Sequence, residues 1–139
     1  MLLAKDYMEK SFLTLAPKNT LLWALKQFRT NRVRYIPVVE NGNFVGLLVE
    51  RDLRDLLPSV VEENDIELLN QTCVYSVMQD KVISISEDTT ILEAAQIMRN
   101  NKIGCLPVLK GQKILGMLTE NHAIKGLVVM LEKYQAPKE

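Results

Sequence analysis

The sequence predicts an α/β (α+β) fold built from two β-α-β-β-α units, which are related by a pseudo-twofold axis and packed through their sheets. The first observation behind this prediction is an internal repeat: a shift of 70 places aligns residues 8–50 with residues 78–120 without a gap, and 11 of the 43 pairs are identical. Unrelated segments of ordinary composition would share about two or three. The second observation is that hydrophobic patterns follow the same order in both copies, which indicates a duplicated structural unit.

Length and composition place the chain among compact globular domains. It has 139 residues, of which 47% are hydrophobic and 24% charged, and 17 basic side chains balance 17 acidic ones. A chain of this size can bury a core without metal or disulfide bonds. Balanced charge gives no electrostatic attraction to a phosphate backbone or an anionic bilayer, so we expect neither a nucleic-acid nor a membrane partner.

Targeting and metal-binding patterns are also missing from the sequence. The longest apolar stretches fall well short of the ~20 residues that span a bilayer, and no signal peptide is recognisable, which predicts a cytoplasmic protein. Cys73, Cys105 and His122 are the only cysteines and the only histidine. Because these three side chains are scattered along the chain, we expect no metal site, and we interpret both cysteines as packing residues.

Each copy begins with a predicted strand and helix. The strands are 12–16 and 82–86, and a polar turn follows each of them. Thr20 and Thr90 end these turns and are suited to cap a helix, because a threonine hydroxyl accepts a hydrogen bond from a backbone N–H of the first turn. Apolar residues then recur at helical spacing, which predicts a helix with one buried face after each threonine.

A β-hairpin and a second helix complete each copy. Short apolar, β-branched runs at 35–39 and 105–109 are joined by turns to 44–49 and 114–119, which is the pattern of a hairpin. The second helices begin near Glu50 and Glu120. A single copy of about 50 residues would leave one face of its sheet uncovered, so we expect the two copies to cover each other.

The repeat also predicts the domain limits. Residues 1–57 form the first copy, 58–72 a connector, 73–134 the second copy and 135–139 a tail. The connector carries an acidic stretch at 62–65, and its segment 66–69 has helical character.

The strands and helix starts of both copies resemble a known family. The sequences RYIPVV from Arg34 and GCLPVL from Gly104 are followed by GLLVERD, ending at Asp52, and GMLTENH, ending at His122. The chain is identified on these motifs as similar to a tandem pair of CBS repeats, the Bateman module, over about residues 4–130. The connector and the IGCLP run at 103–107 look most like the acetoin-utilisation AcuB-type proteins, although the ACT domain usual in those proteins is not part of this sequence.

The resemblance implies a regulatory sensor. Such modules commonly bind adenine nucleotides or adenosyl compounds, among them AMP, ADP, ATP, S-adenosylmethionine and cyclic di-AMP, in clefts between the repeats, and they usually form homodimers. The family motif is glycine, two apolar residues, threonine or serine, two variable residues and aspartate, at the start of the second helix. A helix start and a hydroxyl can meet a phosphate, and the carboxylate can accept from both ribose hydroxyls. The same pattern is also a capping box, which requires no ligand.

Each copy keeps half of this motif. The first copy has Asp52 but Val49 in place of the hydroxyl residue, whereas the second has Thr119 but His122 in place of the carboxylate. We therefore expect one principal site around Asp52 and a degenerate one around Thr119. Asp52 would hold a ribose and Arg51 a phosphate, or both would only stabilise the helix start. His122 would donate to a ribose oxygen, meet a phosphate when protonated, or have no ligand role.

The remaining candidate ligand-binding residues follow from the same resemblance. Arg34 corresponds to a basic residue that often faces the cleft, but a charge exposed at a strand edge is an equal alternative. The apolar wall around an adenine would be formed by Ile36, Pro37, Leu106 and Pro107, although core packing explains the two aliphatic residues better. Phe12 and Asn121 complete the predicted set. We expect no catalytic residue and no required cofactor.

The last helix and Trp23 suggest a protein partner. Apolar residues of the segment 123–134 occupy more than one face of the helix, so a further surface should cover them. Trp23 stands where the second copy has Glu93, beside the buried stripe, and we interpret it as a rim position of a homodimer. The alternative is packing within the chain.

Three classes of function are compatible with these patterns to different degrees. The first is a regulatory module that binds a nucleotide and transmits a conformational change to a regulated protein that the sequence does not identify. The second is a dimerisation or protein-interaction module whose clefts have lost their ligand, which the two half-motifs favour. An enzyme is the weakest alternative, because no nucleophile, base and orienting acid occur at catalytic spacing.

Overall fold

The computed structural model describes residues 1–58 and 61–135 of the chain. Two positions of the predicted connector, 59 and 60, and the predicted tail after residue 135 lie outside the described residues. A 3-10 helix is formed by Val74–Ser76. The other elements, in chain order, are α1 Ala4–Tyr7, α2 Leu21–Asn31, β1 Tyr35–Glu40, β2 Asn43–Val49, α3 Glu50–Arg54, α4 Glu63–Gln71, α5 Ile91–Asn101, β3 Cys105–Lys110, β4 Lys113–Thr119 and α6 Glu120–Gln135.

The first long helix of each copy begins where the repeat predicts. Thr20 Oγ1 accepts from the N–H of Trp23 at 3.1 Å, and Thr90 Oγ1 accepts from the N–H of Glu93 at 3.1 Å. Both predicted caps are thus confirmed. The C-cap residues that follow the two helices, Arg32 and Lys102, adopt the left-handed conformation with φ of 52° and 54°.

The two hairpins share one register. Strands β1 and β2 pair antiparallel, as do β3 and β4, and both pairs carry an irregularity at equivalent places, between Val38 and Val39 and between Val108 and Leu109. The predicted hairpins are confirmed in both copies. The connector also contains a helix, α4, which is longer than the predicted segment 66–69.

The predicted first strands, 12–16 and 82–86, are wrong in extent. Only one residue of each segment pairs: Leu15 forms a parallel bridge with Val38, and Ile85 forms one with Val108. The N–H of Leu15 donates to the carbonyl of Pro37 at 3.0 Å. The next donor of a parallel ladder on the N-terminal side would be the N–H of Pro37 or Pro107, and proline has none. The ladder therefore stops after one bridge.

The chain divides into two compact units, one of residues 13–82 and one of residues 1–12 together with those from 83 onward. These units do not follow the sequence repeats, because the N-terminal segment pairs with the second copy: the N–H of Ala4 donates to the carbonyl of Thr89 at 2.7 Å. The 3-10 segment pairs with the first copy, since the N–H of Val74 donates to the carbonyl of Asn19 at 2.8 Å. The domain limits predicted from the repeat stay a prediction.

Each unit has its own apolar core, in which one helix face and one hairpin face contribute equivalent positions. The core of residues 13–82 contains Leu15, Leu21, Ala24, Phe28, Ile36, Val38, Leu48, Leu53, Leu69 and Val74. The core of the other unit contains Ala4, Ile85, Ile91, Ala94, Met98, Leu106, Val108, Leu118 and Ala123.

A short segment pairs with the outer edge of each hairpin. Gln79 exchanges two backbone hydrogen bonds with Leu47, at 2.8 and 2.9 Å, and Glu9 exchanges two with Met117 at the same distances. The neighbouring glycines permit this approach. A Cβ atom on Gly46 would lie 2.8 Å from the carbonyl oxygen of Gln79, so the backbones could not meet as closely with a side chain there.

Candidate functional site

In the unit of residues 13–82, the candidate site lies where β2 passes directly into α3. Asp52 occupies the third position of α3 and is half-buried. Its Oδ2 atom accepts a hydrogen bond from Nε2 of Gln79 at 2.9 Å. Since the backbone of Gln79 is fixed by Leu47, the amide approaches the carboxylate from a hydrogen-bonded segment rather than from a loop. One donor leaves the remaining acceptor capacity of the carboxylate for other partners.

Val49 and Arg51 lie at the same junction, and Arg34 is connected to it through the backbone. Val49 is the N-cap of α3, and its side chain has no oxygen with which to cap the helix. The N–H of Glu50 donates to the carbonyl of Arg34 at 2.9 Å, which ties the start of α3 to the start of β1. Arg34 and Arg51 are both exposed. The guanidinium of Arg34 lies 5.9 Å from the centroid of the Tyr35 ring, within the range of a cation–π contact.

The equivalent junction of the other unit, where β4 passes into α6, is arranged differently. Nδ1 of His122 lies 3.0 Å from the backbone nitrogen of Thr119 and 3.0 Å from its Oγ1 atom. A backbone N–H can only donate, so Nδ1 is the acceptor and the neutral ring carries its proton on Nε2. His122 therefore caps the first turn of α6, as the residue at this position of a capping box does.

Charge and burial set the protonation of this histidine. Burial lowers the pKa of His122 below its ordinary value of 6.5, the carboxylate of Glu9 opposes this by raising the pKa, and the ammonium of Lys125 lowers it further. Asn121, which precedes His122, is exposed. At neutral pH the second junction therefore presents an imidazole N–H donor where the first presents a carboxylate.

Of the predicted apolar walls, the two aliphatic residues belong to the cores. Ile36 and Leu106 are 1% and 0% exposed, and Pro37 and Pro107 are buried, whereas Phe12 is partly exposed. Core packing thus accounts for Ile36 and Leu106 in each unit considered by itself. Six predicted residues belong to the unit of residues 13–82, namely Arg34, Ile36, Pro37, Val49, Arg51 and Asp52, and the other six, Phe12, Leu106, Pro107, Thr119, Asn121 and His122, belong to the second unit.

Sequence reasoning missed two residues of these junctions, Gln79 and Glu9. They occupy equivalent positions of the repeat, as do Asp52 and His122. The two copies thus differ at both positions: an amide accompanies the carboxylate in one copy, and a carboxylate accompanies the imidazole in the other. Comparison of the unmatched polar positions of the two copies was the signal that could have found them.

Other features of the described residues concern metal ligands, membrane spans, the buried thiol and cavities. No group of three or more metal-ligating side chains occurs within residues 1–58 and 61–135. Over the same ranges, none of the helices has the length and apolar character needed to cross a membrane. Burial raises the pKa of the Cys105 thiol to about 12, which agrees with its interpretation as a packing residue. A cavity of about 390 Å³ lies between α5 and α6.

Comparison with known proteins gives consistent matches over nearly the whole chain. The family model described as CBS domain matches residues 4–59 and 74–129. A CBS domain-containing protein of Dictyostelium discoideum is 36% identical over 136 residues, which cover 94% of each chain. A Vibrio cholerae structure described as an acetoin utilization protein (AcuB) is 26% identical, with a TM-score of 0.80 over 100% of this chain and 99% of its own. The structure of CBSX2 in complex with AMP, 21% identical, shares the fold with a TM-score of 0.79 over 94% of this chain and 99% of that one.

Proposed function

The chain belongs to the CBS-domain family, with two CBS domains in tandem, and on that premise we propose that it is a ligand-sensing regulatory module that binds an adenine nucleotide or an adenosyl compound. AMP, ADP, ATP and S-adenosylmethionine are the candidate ligands. The proposed role is cytoplasmic and non-enzymatic: the module forms a homodimer and transmits a change of conformation to a regulated protein.

The observation that carries this proposal is the half-buried carboxylate of Asp52 at the junction of β2 and α3. It stands at the position of the family motif whose carboxylate meets a ribose, and within residues 1–58 and 61–135 it accepts one hydrogen bond, from Gln79. A carboxylate has two oxygens and can accept from two adjacent hydroxyls. CBSX2, which shares this fold, was crystallised with AMP.

Arg51 and Arg34 supply the positive charge of the proposed site. Both side chains are exposed, and both belong to segments that the hydrogen bond from Glu50 to Arg34 joins. Phosphate groups are recognised by arginine through charge-assisted hydrogen bonds. We therefore assign the ribose to Asp52 and the phosphate to the arginines.

Regulation requires that the ligand favour one conformation over another. A ligand moves a conformational equilibrium only by the difference between its affinities for the two states. In this proposal the bound nucleotide stabilises one arrangement of the helix start after β2, and a partner protein recognises that arrangement.

Titration calorimetry of the full chain tests the proposal directly. The ligands are AMP, ADP, ATP, S-adenosylmethionine and cyclic di-AMP, and we expect saturable binding of at least one of the first four. If none of these five compounds binds at millimolar concentration, the ligand-sensing function is wrong. Turnover of bound ATP in the same samples would contradict the non-enzymatic role.

Replacement of Asp52 tests the ribose contact. Asp52→Ala should weaken nucleotide binding by about 1–3 kcal/mol, because a charged acceptor of two hydrogen bonds is lost. Asp55→Ala is the matched control, since Asp55 is an exposed carboxylate at the end of the same helix. Equal affinities of Asp52→Ala and the original chain, measured by calorimetry, would move the ribose to another residue.

A second candidate function is a dimerisation or protein-interaction module that binds no nucleotide. It is favoured by Val49, which offers no hydroxyl, and by His122, whose Nδ1 is engaged by Thr119. Exposed apolar side chains would serve such a role: Trp23 is 50% exposed and Leu131 57%. A firm dimer in sedimentation analysis, combined with a melting temperature that none of the nucleotides changes, would support this function over the first.

A further inference from the structure

We propose that Gln79 is the positioning residue of the candidate site, and that by holding Asp52 it makes the site selective for ligands with an unesterified ribose 2′,3′-diol. This inference rests on the proposed nucleotide-binding function. It adds a residue that lies outside the family motif and a chemical criterion for the ligand.

A side-chain hydrogen bond connects Gln79 to Asp52. Nε2 of Gln79 donates to Oδ2 of Asp52 at 2.9 Å, although the two residues are 27 positions apart in the chain. The bond therefore joins the segment at the hairpin edge to the start of α3. A carboxylate on a short helix of five residues has rotational freedom unless a partner limits it, and Gln79 is the partner observed.

The backbone of the donor residue, Gln79, is held by the hairpin. Both backbone groups of Gln79 pair with Leu47, at 2.8 and 2.9 Å, and Leu47 is 4% exposed. The carbonyl oxygen of Gln79 also lies against Gly46, where a Cβ atom would be only 2.8 Å away. The Cα of Gln79 is thus fixed by the hairpin, and only its side-chain torsions remain to be ordered. Because the backbone is already ordered, only the exposed side chain of Gln79 loses conformational entropy when it orients the carboxylate.

The carboxylate of Asp52 can still accept further hydrogen bonds. The amide of Gln79 uses one lone pair of Oδ2, which leaves Oδ1 and the second lone pair of Oδ2. Two vicinal hydroxyls match a carboxylate held in one orientation, because each can donate to one oxygen. A ligand whose 3′-oxygen is esterified, such as cyclic di-AMP, offers one such donor per ribose instead of two. The pair should therefore favour AMP, ATP and S-adenosylmethionine over cyclic di-AMP.

The other unit provides an internal comparison. Glu9 makes the same backbone pairs with Met117 that Gln79 makes with Leu47, but its junction carries His122 instead of a carboxylate. A glutamate at position 79 would place one carboxylate against another, whereas the carboxylate of Glu9 accepts from the N–H of Ser11 at 2.8 Å and raises the pKa of His122. The residue beside the carboxylate of Asp52 is thus an uncharged amide, whereas the carboxylate of the other unit accompanies a neutral imidazole.

The test uses two variants of nearly the same length that keep the backbone pairing. Gln79→Met removes the donor, and Gln79→Glu replaces it with a carboxylate that repels Asp52. Gln112→Ala is the control, because Gln112 is an exposed glutamine in the turn of the other hairpin. Calorimetry with AMP, ATP and their 2′,3′-dideoxy analogues gives the dissociation constants, and thermal melting reports whether each variant is folded.

We expect Gln79→Met to weaken AMP or ATP binding about fivefold and Gln79→Glu to weaken it more, with Gln112→Ala unchanged. For the dideoxy analogues the original chain and Gln79→Met should agree within about twofold, since no diol is present for an oriented carboxylate to recognise. A merely structural role of Gln79 would weaken both kinds of ligand equally.

The outcomes that overturn the inference are distinct from failure of the proposed function. Suppose that the original chain binds AMP or ATP. The positioning role is then wrong, and nucleotide sensing stands, if folded Gln79→Met binds these nucleotides equally well. The same holds if Gln79→Met weakens binding of the dideoxy analogues as much as it weakens binding of AMP or ATP. Tighter binding of cyclic di-AMP than of AMP and ATP overturns the selectivity. If the original chain binds neither an adenine nucleotide nor S-adenosylmethionine, both the proposed function and this inference are wrong.

Discussion

At the scale of single residues, the two halves of the chain show how one position can serve different chemistry. Asp52 and His122 are equivalent in the repeat, yet one carboxylate oxygen accepts from Gln79 while the imidazole accepts from the backbone of Thr119. The difference follows from the residues themselves. Thr119 is the residue immediately before α6, and its backbone N–H meets the ring nitrogen at the third position of the helix. The histidine thereby caps its own helix, whereas the carboxylate in the other unit accepts from a residue of a distant segment.

The protonation of His122 gives a pH-dependent stability. Its pKa is lowered in the folded chain, mainly by burial, and is about 6.5 when the chain is unfolded. Between these two values the unfolded chain binds a proton that the folded chain does not. The stability that neutral His122 contributes is therefore complete above the unfolded value and is lost progressively as the pH falls through the folded pKa. The Nδ1 atom also cannot accept from Thr119 once it is protonated.

His122→Gln isolates this effect, because a glutamine at this position can still accept from the N–H of Thr119 but does not titrate. Chemical denaturation of both proteins from about pH 7.5 to about pH 5 should show that the original chain loses free energy of unfolding relative to His122→Gln as the pH falls. A relative gain would mean that the carboxylate of Glu9 outweighs burial and Lys125, and that the direction assigned to the pKa is wrong.

At the scale of elements, the sequence predicts the parts whose signals are local. Thr20 and Thr90 identify two helix starts because capping depends on residues three positions apart. The first strands are over-predicted because an apolar run does not reveal that its ladder would need an N–H from Pro37 or Pro107. The bridge of Gln79 to Leu47 is a contact between segments far apart in sequence, and neither run has a periodic pattern that indicates it.

The same distinction explains the candidate site. The motif identified Asp52 in one copy and Thr119 in the other, because the spacing of motif residues at each helix start is a local feature. Gln79 and Glu9 were missed because they reach these helix starts through the hairpin edge. Their pairing depends on a backbone bridge between segments distant in the chain, which a single motif does not contain.

The glycines of the hairpins test how closely the edge segments approach. A Cβ on Gly46 would meet the carbonyl oxygen of Gln79 and Sδ of Met78, both at 2.8 Å, whereas on Gly116 it would meet Sδ of Met8 at 2.6 Å. Both alanine variants should destabilise their unit, Gly46→Ala by about 2 kcal/mol, since overpacking forces the backbone to shift. The free energy of unfolding measured with denaturant checks this.

Removal of the methionine separates the two cases. Met8→Ala should restore part of the stability that Gly116→Ala loses, because the closest obstacle there is a side chain. Met78→Ala should restore less for Gly46→Ala, because the carbonyl oxygen of Gln79 remains. Equal rescue in the two units would contradict the assignment of the backbone as the limiting contact.

At the scale of the whole molecule, packing and duplication divide the chain differently. The repeat separates residues 8–50 from 78–120, but the compact units join residues 1–12 to the second copy. Ala4 is completely buried in the core that contains Ile91 and Leu118. Leu3 also forms a bridge with Thr90. The N-terminal segment is therefore part of the folded second unit. It contributes to the core of that unit and not to the core of residues 13–82.

Deletion of residues 1–9 tests this assignment. The N–H of Ile91 donates to the carbonyl of Leu2 and the N–H of Met117 to that of Glu9, both at 2.9 Å, so both amides should lose their protection against hydrogen exchange in the shortened chain. The N–H of Leu47, which donates to Gln79 at 2.9 Å, is the control and should stay protected. Loss of partly buried Leu2, Tyr7 and Met8 should also lower the free energy of unfolding of this unit by about 3 kcal/mol or more. Ala4→Asp in the full chain should expose the same two amides by placing a charge in the core. Protection of Ile91 and Met117 that survives both changes would show that the segment is not part of the unit.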